Sequence, residues 1–163
     1  MPLPDAALKR VERERVIVLA QIERKKAPMD IFTQGVSMLM QHGTAGSDSQ
    51  DSYVANAVRR TYSLPDIRLP VEGASLRIEG LDLQFKNGDQ TFSGGKLVVS
   101  EVIDTPDGEK LVPLFLVRPG LGFCDPRTGF PLQARDEEKD RLIEEAKGLF
   151  GYAQAHLEEE AAK

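Results

Sequence analysis

Residues 71–119, VEGASLRIEGLDLQFKNGDQTFSGGKLVVSEVIDTPDGEKLVPLFLVRP, decide the fold. Leu76, Ile78, Leu83 and Phe85 recur at the alternating positions of a half-buried strand, with a slip at Gly80-Leu81 that suits a bulge. Lys86-Asn87-Gly88-Asp89 then supplies the Asn-Gly pair of a tight primed turn, whose two central residues must accept positive φ. Farther on, Thr105-Pro106-Asp107-Gly108 sets proline where φ is held near about −65° and glycine where the chain turns left-handed. Two consecutive antiparallel hairpins follow from this, with Gly88 and Gly108 at their turns. The expectation is a small meander of about four strands.

On the C-terminal side, Arg118 to Pro131 holds three glycines and three prolines in fourteen residues. Regular structure is not expected there, yet Leu121, Phe123 and Phe130 call for burial, so the stretch reads as an ordered loop pinned by its aromatics. From Asp136 a helix follows, with Leu142, Ala146, Leu149, Ala153 and Leu157 on one stripe.

On the N-terminal side, Asp5 can cap a helix running to Lys26. Leu8, Val11, Val18 and Ile22 make a heptad-like stripe in it, with Arg15 standing where another apolar residue would fall. Ala27-Pro28 is expected to break that helix, because proline has no N–H to donate and disfavours helical geometry in the residue before it. A second helix is then read over 29–42. It is apolar on more than one side, with Phe32, Val36, Leu39 and Met40 as its main stripe, and such a helix must be covered. Residues 43–52 contain no apolar side chain larger than alanine and read as a flexible linker. Tyr53 to Arg60 fits a short helix or a strand equally well.

The whole chain, 163 residues, fits one domain. It divides into a helical part (1–42), the linker (43–52), meander and loop (53–132) and a C-terminal helix (133–163). Lys and Arg number 21 against 26 Asp and Glu, a net charge of −5. That balance argues against nucleic acid, which needs a basic face, and against attraction to anionic lipid. One cysteine allows no intramolecular disulfide and fits a reducing compartment. The opening Met-Pro-Leu-Pro-Asp-Ala-Ala lacks a basic start followed by an apolar run, and no apolar stretch is long enough for a bilayer. A cytoplasmic location is expected.

Chemistry-bearing patterns are weak. Cys124 lies in the Gly/Pro-rich loop, but a working thiolate needs a base, and His42 and His156 are both remote in sequence. Two histidines and one cysteine have no pair at zinc-ligand spacing. Asp104, Asp107 and Glu109 offer three carboxylates, yet the turn accounts for Asp107-Gly108, and the twelve-residue calcium pattern is missing. Gly94-Gly95-Lys96 lacks the remainder of a phosphate loop and suits a bulge or a close backbone approach. No catalytic residue, metal or cofactor is therefore assigned.

The fold class expected is α+β, an antiparallel meander flanked by amphipathic terminal helices. One sheet face cannot cover three helices with apolar faces, and leftover apolar surface marks an interface. The leading reading is a non-enzymatic interaction or assembly module, an oligomeric structural or adaptor subunit whose partner is a protein or a second copy. Phe32, Val36, Leu39 and Met40 are the expected contacts. The alternatives are a carrier of a small apolar ligand, held between the meander and helix 29–42, and an enzyme with its site on loop 118–131.

Overall fold

The computed structural model describes residues 4–45, 52–54, 57–86 and 89–163; of 52–54, 57–59, 85–86 and 89–93 it describes the backbone alone. A helix α1 (Asp5–His42) leads into β1 (Thr44–Ala45), β2 (Ser52–Val54), β3 (Ala57–Ser63) and β4 (Ile67–Arg68). Three longer strands follow, β5 (Ala74–Lys86), β6 (Asp89–Thr105) and β7 (Gly108–Arg118), then β8 (Gly122–Cys124) and the helix α2 (Asp136–Ala161). The class is α+β, as the alternation and turn signals require. The sheet is larger than the four strands expected: among the described residues it has eight strands, in the order β1-β3-β5-β6-β7-β8, with β2 also on β3 and β4 also on β5. Every pairing is antiparallel. The extra strands are mostly two or three residues long, too short for a period of two to register in the sequence.

The slip in β5 is a bulge, one to two residues beyond Gly80-Leu81. Pairing with β6 runs to Leu81↔Lys96 and resumes at Gln84↔Gly94. Asp82 takes φ 51° there, and Gly95, opposite, takes φ 95° with its backbone against the carbonyls of Leu81 and Asp82. One added residue reverses side-chain parity, so Leu76, Ile78 and Leu83 all reach the covered face despite their odd spacing. The β6–β7 hairpin turns at Pro106-Asp107 with Gly108 at φ 117°, and the Thr105 hydroxyl donates to the Gly108 carbonyl at 2.6 Å. The β5–β6 ladder closes at Lys86↔Asp89, whereas the turn expected at Gly88 lies outside the described residues. So do residues 46–51 of the expected linker; Thr44 and Ala45 pair with Ser63 and Tyr62.

Proline 28 does not end the first helix. A single helix of 38 residues runs through it, where a break into two helices was expected. Proline inside a helix forfeits the bond to the Arg24 carbonyl and costs about 3 kcal/mol or more. Tertiary packing outweighs that loss here: Ala27, Ile31 and Phe32 are buried on either side of it. The sheet face is covered by the second half of α1 and by α2. Gly35 lets the helix approach closely, since a Cβ there would collide with Leu97 Cδ2. The buried stripe of α2 is Ile143, Ala146, Phe150, Ala153 and Leu157, while Leu142 and Leu149 pack at its margin. Phe150 and Phe123 both lie 5.9 Å from Phe115, centroid to centroid. On the opposite face, Arg77 donates to both oxygens of Asp66 at 2.9 and 2.8 Å, holding the segment before β5 onto the sheet.

Candidate functional site

The expected interface residues are placed unequally. Phe32, Val36 and Leu39 lie inside the chain's own core, at 1% exposure or less, and Met40 alone of the four is exposed. Helix 29–42 is apolar on several sides because its own sheet and α2 cover it.

The surface lies in the first half of the same helix. No side chain from Asp5 to Ile22 is buried. Leu8, Val11, Val16, Ile17, Val18, Leu19 and Ile22 are each between 44% and 65% exposed. At about 3.6 residues per turn, Leu8, Val11, Val18, Leu19, Ile22, Met29 and Met40 fall on one side of α1. The buried residues Ala27, Ile31, Phe32, Gly35, Met38 and Leu39 occupy the remaining arc, and Val36, itself buried, falls in line with Val18 at the edge of the stripe. The heptad-like stripe legible in the sequence is therefore an apolar face that stands exposed from Leu8 to Ile22 and borders the buried arc farther along the helix. Val16 and Ile17 lie off it, which leaves the turn 16–20 apolar all round.

The arm leaves the body at a fixed point. Arg24 donates through Nε and a terminal nitrogen to both oxygens of Asp140 at 2.7 and 3.0 Å, and reaches Asp136 at 3.5 Å. Lys147 of α2 donates to Glu23 at 3.0 Å. The Arg24 guanidinium draws the Asp140 carboxyl below its ordinary pKa. Beside this root is a groove of about 610 Å³, floored by Pro28, Phe123 and Ile143 and edged by Met29, Leu121, Lys25 and Lys139. Gly120 and Gly122, at φ 79° and 77°, turn the β7–β8 connection so that it closes against Pro28.

The stretch 118–131, expected to lack regular structure, carries the strand β8 paired on β7, and backbone bonds order the remainder more than its aromatics do. Asp125 N–H donates to the Phe130 carbonyl at 2.8 Å, Gly129 N–H to that of Asp125 at 2.7 Å, and Leu132 N–H to that of Phe123 at 2.9 Å. Phe123 is buried, while Leu121 and Phe130 remain exposed, the latter at 71%. Cys124 is buried, with Sγ 3.5 Å from the Gly122 carbonyl. Burial pushes its thiol pKa up, and the Arg118 charge and backbone N–H only partly oppose this. No histidine or carboxylate figures among the groups that shift it. His156 stacks on Tyr152, and His42 ends α1. Glu109, of the three turn carboxylates, sits 3.5 Å from Arg77. Among the described residues no three His, Cys, Asp or Glu side chains gather as a metal would need, and no helix is long and apolar enough to cross a membrane.

The arm's signal was present in the sequence as Val16-Ile17-Val18-Leu19, four consecutive apolar residues inside a highly charged helix. The heptad stripe takes in only Val18 of them and passes over the other three. Compared with known proteins, the chain matches no family model, no curated sequence and no solved structure.

Proposed function

We propose that this chain is a non-enzymatic assembly module that docks through the first half of α1. The observation that carries this reading is the row of seven half-exposed apolar residues between Leu8 and Ile22. Covering a half-exposed side chain of this size stabilises by roughly 1 kcal/mol, half the value for full burial. A lone helix of this length is marginal in water, and the β-branched run Val16-Ile17-Val18 weakens its intrinsic propensity further. Such an arm needs a surface to lie on. The sheet and α2 act as the anchor, holding its root by Arg24 and Lys147.

The test is the native mass of the chain in extract of its source cells, before and after Val18→Glu. The reading expects a particle larger than 18.0 kDa that Val18→Glu releases to the size of the single chain. Migration at 18.0 kDa in both cases overturns it.

Ligand carriage is the second reading, and the groove beside Pro28 is what favours it. Its volume falls in the range of small-molecule sites, and Lys25 and Lys139 stand over an apolar floor. An apolar carboxylate matches that lining. Calorimetric titration with a medium-chain fatty acid reads it, and loss of the heat signal in Leu121→Glu is the expected result. No heat with the wild-type chain removes this alternative.

A further inference from the structure

We infer that the partner of the arm is a second copy of this chain, laid antiparallel along residues 8–25. The inference rests on the assembly reading above and names the occupant. The apolar stripe from Leu8 to Ile22 spans about 21 Å of helix at 1.5 Å per residue, and the body begins just beyond it at Arg24. An occupant of that shape is itself an α-helix with matching heptad spacing, and the chain carries one.

Charge selects the direction. In a parallel pair Arg15 would face Arg15 and Lys25 would face Lys25 across the seam. A parallel pair would also bring the two bodies side by side. Residues 5–26 hold seven of the chain's 21 basic side chains and four of its 26 acidic ones, which leaves 14 against 22 elsewhere. Bodies with that acidic excess repel at close range, and an antiparallel pair places them at opposite ends with the basic arms between them.

Charge and burial together select the register. With Val11 of one copy opposite Ile22 of the other, Arg15 meets Val18 and Leu8 meets Lys25. Each basic residue of the seam then lies with its aliphatic stem on an apolar partner and its charge at the edge. Asp5 comes beside Lys26 of the second copy. A shift of one heptad toward the body would oppose Arg15 to Lys25 and set Leu8 against buried Phe32, and a shift the other way would carry Ile22 past the partner's stripe to Pro4. In the favoured register the two-fold axis passes at Val16-Ile17, so the off-stripe apolar residues of both copies gather at the centre, where two such pairs can meet.

The experiment uses the purified full chain. Light scattering of the wild type is expected to give two or four times 18.0 kDa, and Val18→Glu to return it to 18.0 kDa. In a Cys124→Ser background, which removes the only native thiol, Val11→Cys chains mixed with Ile22→Cys chains are expected to join through a short thiol cross-linker. Val11→Cys chains alone are expected not to join. Cross-linking of Val11→Cys to itself, without the mixed product, overturns the antiparallel register. A wild-type monomer at high concentration overturns self-pairing altogether. If that monomer is nonetheless found in a larger particle in cell extract, the assembly reading stands and only the identity of the partner is wrong.

Discussion

Arg24 and Asp140 face each other across the two helices with both carboxylate oxygens engaged, at 2.7 and 3.0 Å. N-terminal to this pair nothing on α1 is buried, and only Ala7 and Ala20 are half-buried; C-terminal to it Ala27, Ile31 and Phe32 enter the core. The pair is thus the boundary between a helix that belongs to the body and a helix offered to something else. Two-point contact fixes the guanidinium plane more firmly than a single charge contact would.

The Asp140 carboxyl titrates below the ordinary aspartate value because Arg24 holds its charged form. A depressed folded pKa contributes stability that is present above the unfolded value and lost as pH falls through the folded one. Urea midpoints at neutral pH and at pH below the ordinary carboxylate range should therefore differ less in Asp140→Asn than in the wild type. An equal acid loss in both would show that the contact contributes nothing on folding.

Gly95 and Gly108 both take positive φ, but their surroundings differ. A Cβ on Gly108 meets nothing within 4 Å, so Gly108→Ala costs only backbone strain, about 1 kcal/mol. A Cβ on Gly95 would lie 2.6 Å from the Asp82 carbonyl oxygen and 2.7 Å from that of Leu81. These are backbone atoms of the paired strand and cannot swing aside, so the bulge itself must open. Gly95→Ala should cost about 2–4 kcal/mol in chemical denaturation. Equal losses at the two sites would contradict the close approach.

The hairpin turn at Gly108, the bulge beside Gly80-Leu81 and the α+β class were legible because each has a local cause: a φ requirement, a parity error, an alternation. Pro28 was misjudged for the opposite reason. Its local preference is to break a helix, and what overrides it is burial of Ala27, Ile31 and Phe32 against strands far away in the sequence. The same oversight moved the expected contact surface. Phe32, Val36 and Leu39 were apolar enough to need covering, and only the fold shows that Gly35 lets the helix settle onto Leu97 and bury them.

Cys124 should react slowly with a disulfide-exchange reagent in the folded chain and fast in urea. Burial both hides the sulfur and raises its pKa, which depletes the reactive thiolate. Replacement by serine keeps a donor within reach of the Gly122 carbonyl and should cost about 1 kcal/mol. Rapid labelling of the native protein would mean an activated thiol and would revive an enzymatic role for loop 118–131.

Helix α1 should answer substitutions in two different ways along its length. Leu39 is fully buried, and its Cδ1 would lie 2.7 Å from a Cβ on Gly80, so it fills the space over the strand at that point. Leu39→Ala removes buried methyl groups and leaves a cavity in the core, at a cost of about 2–5 kcal/mol. Ile17 is 56% exposed. Ile17→Ser should change the unfolding free energy of the isolated chain by less than about 0.5 kcal/mol. Urea denaturation of a dilute sample, where association is weak, separates the two. A large loss from Ile17→Ser under those conditions would mean that the arm folds back on its own body, and the exposed stripe would then be an intramolecular contact.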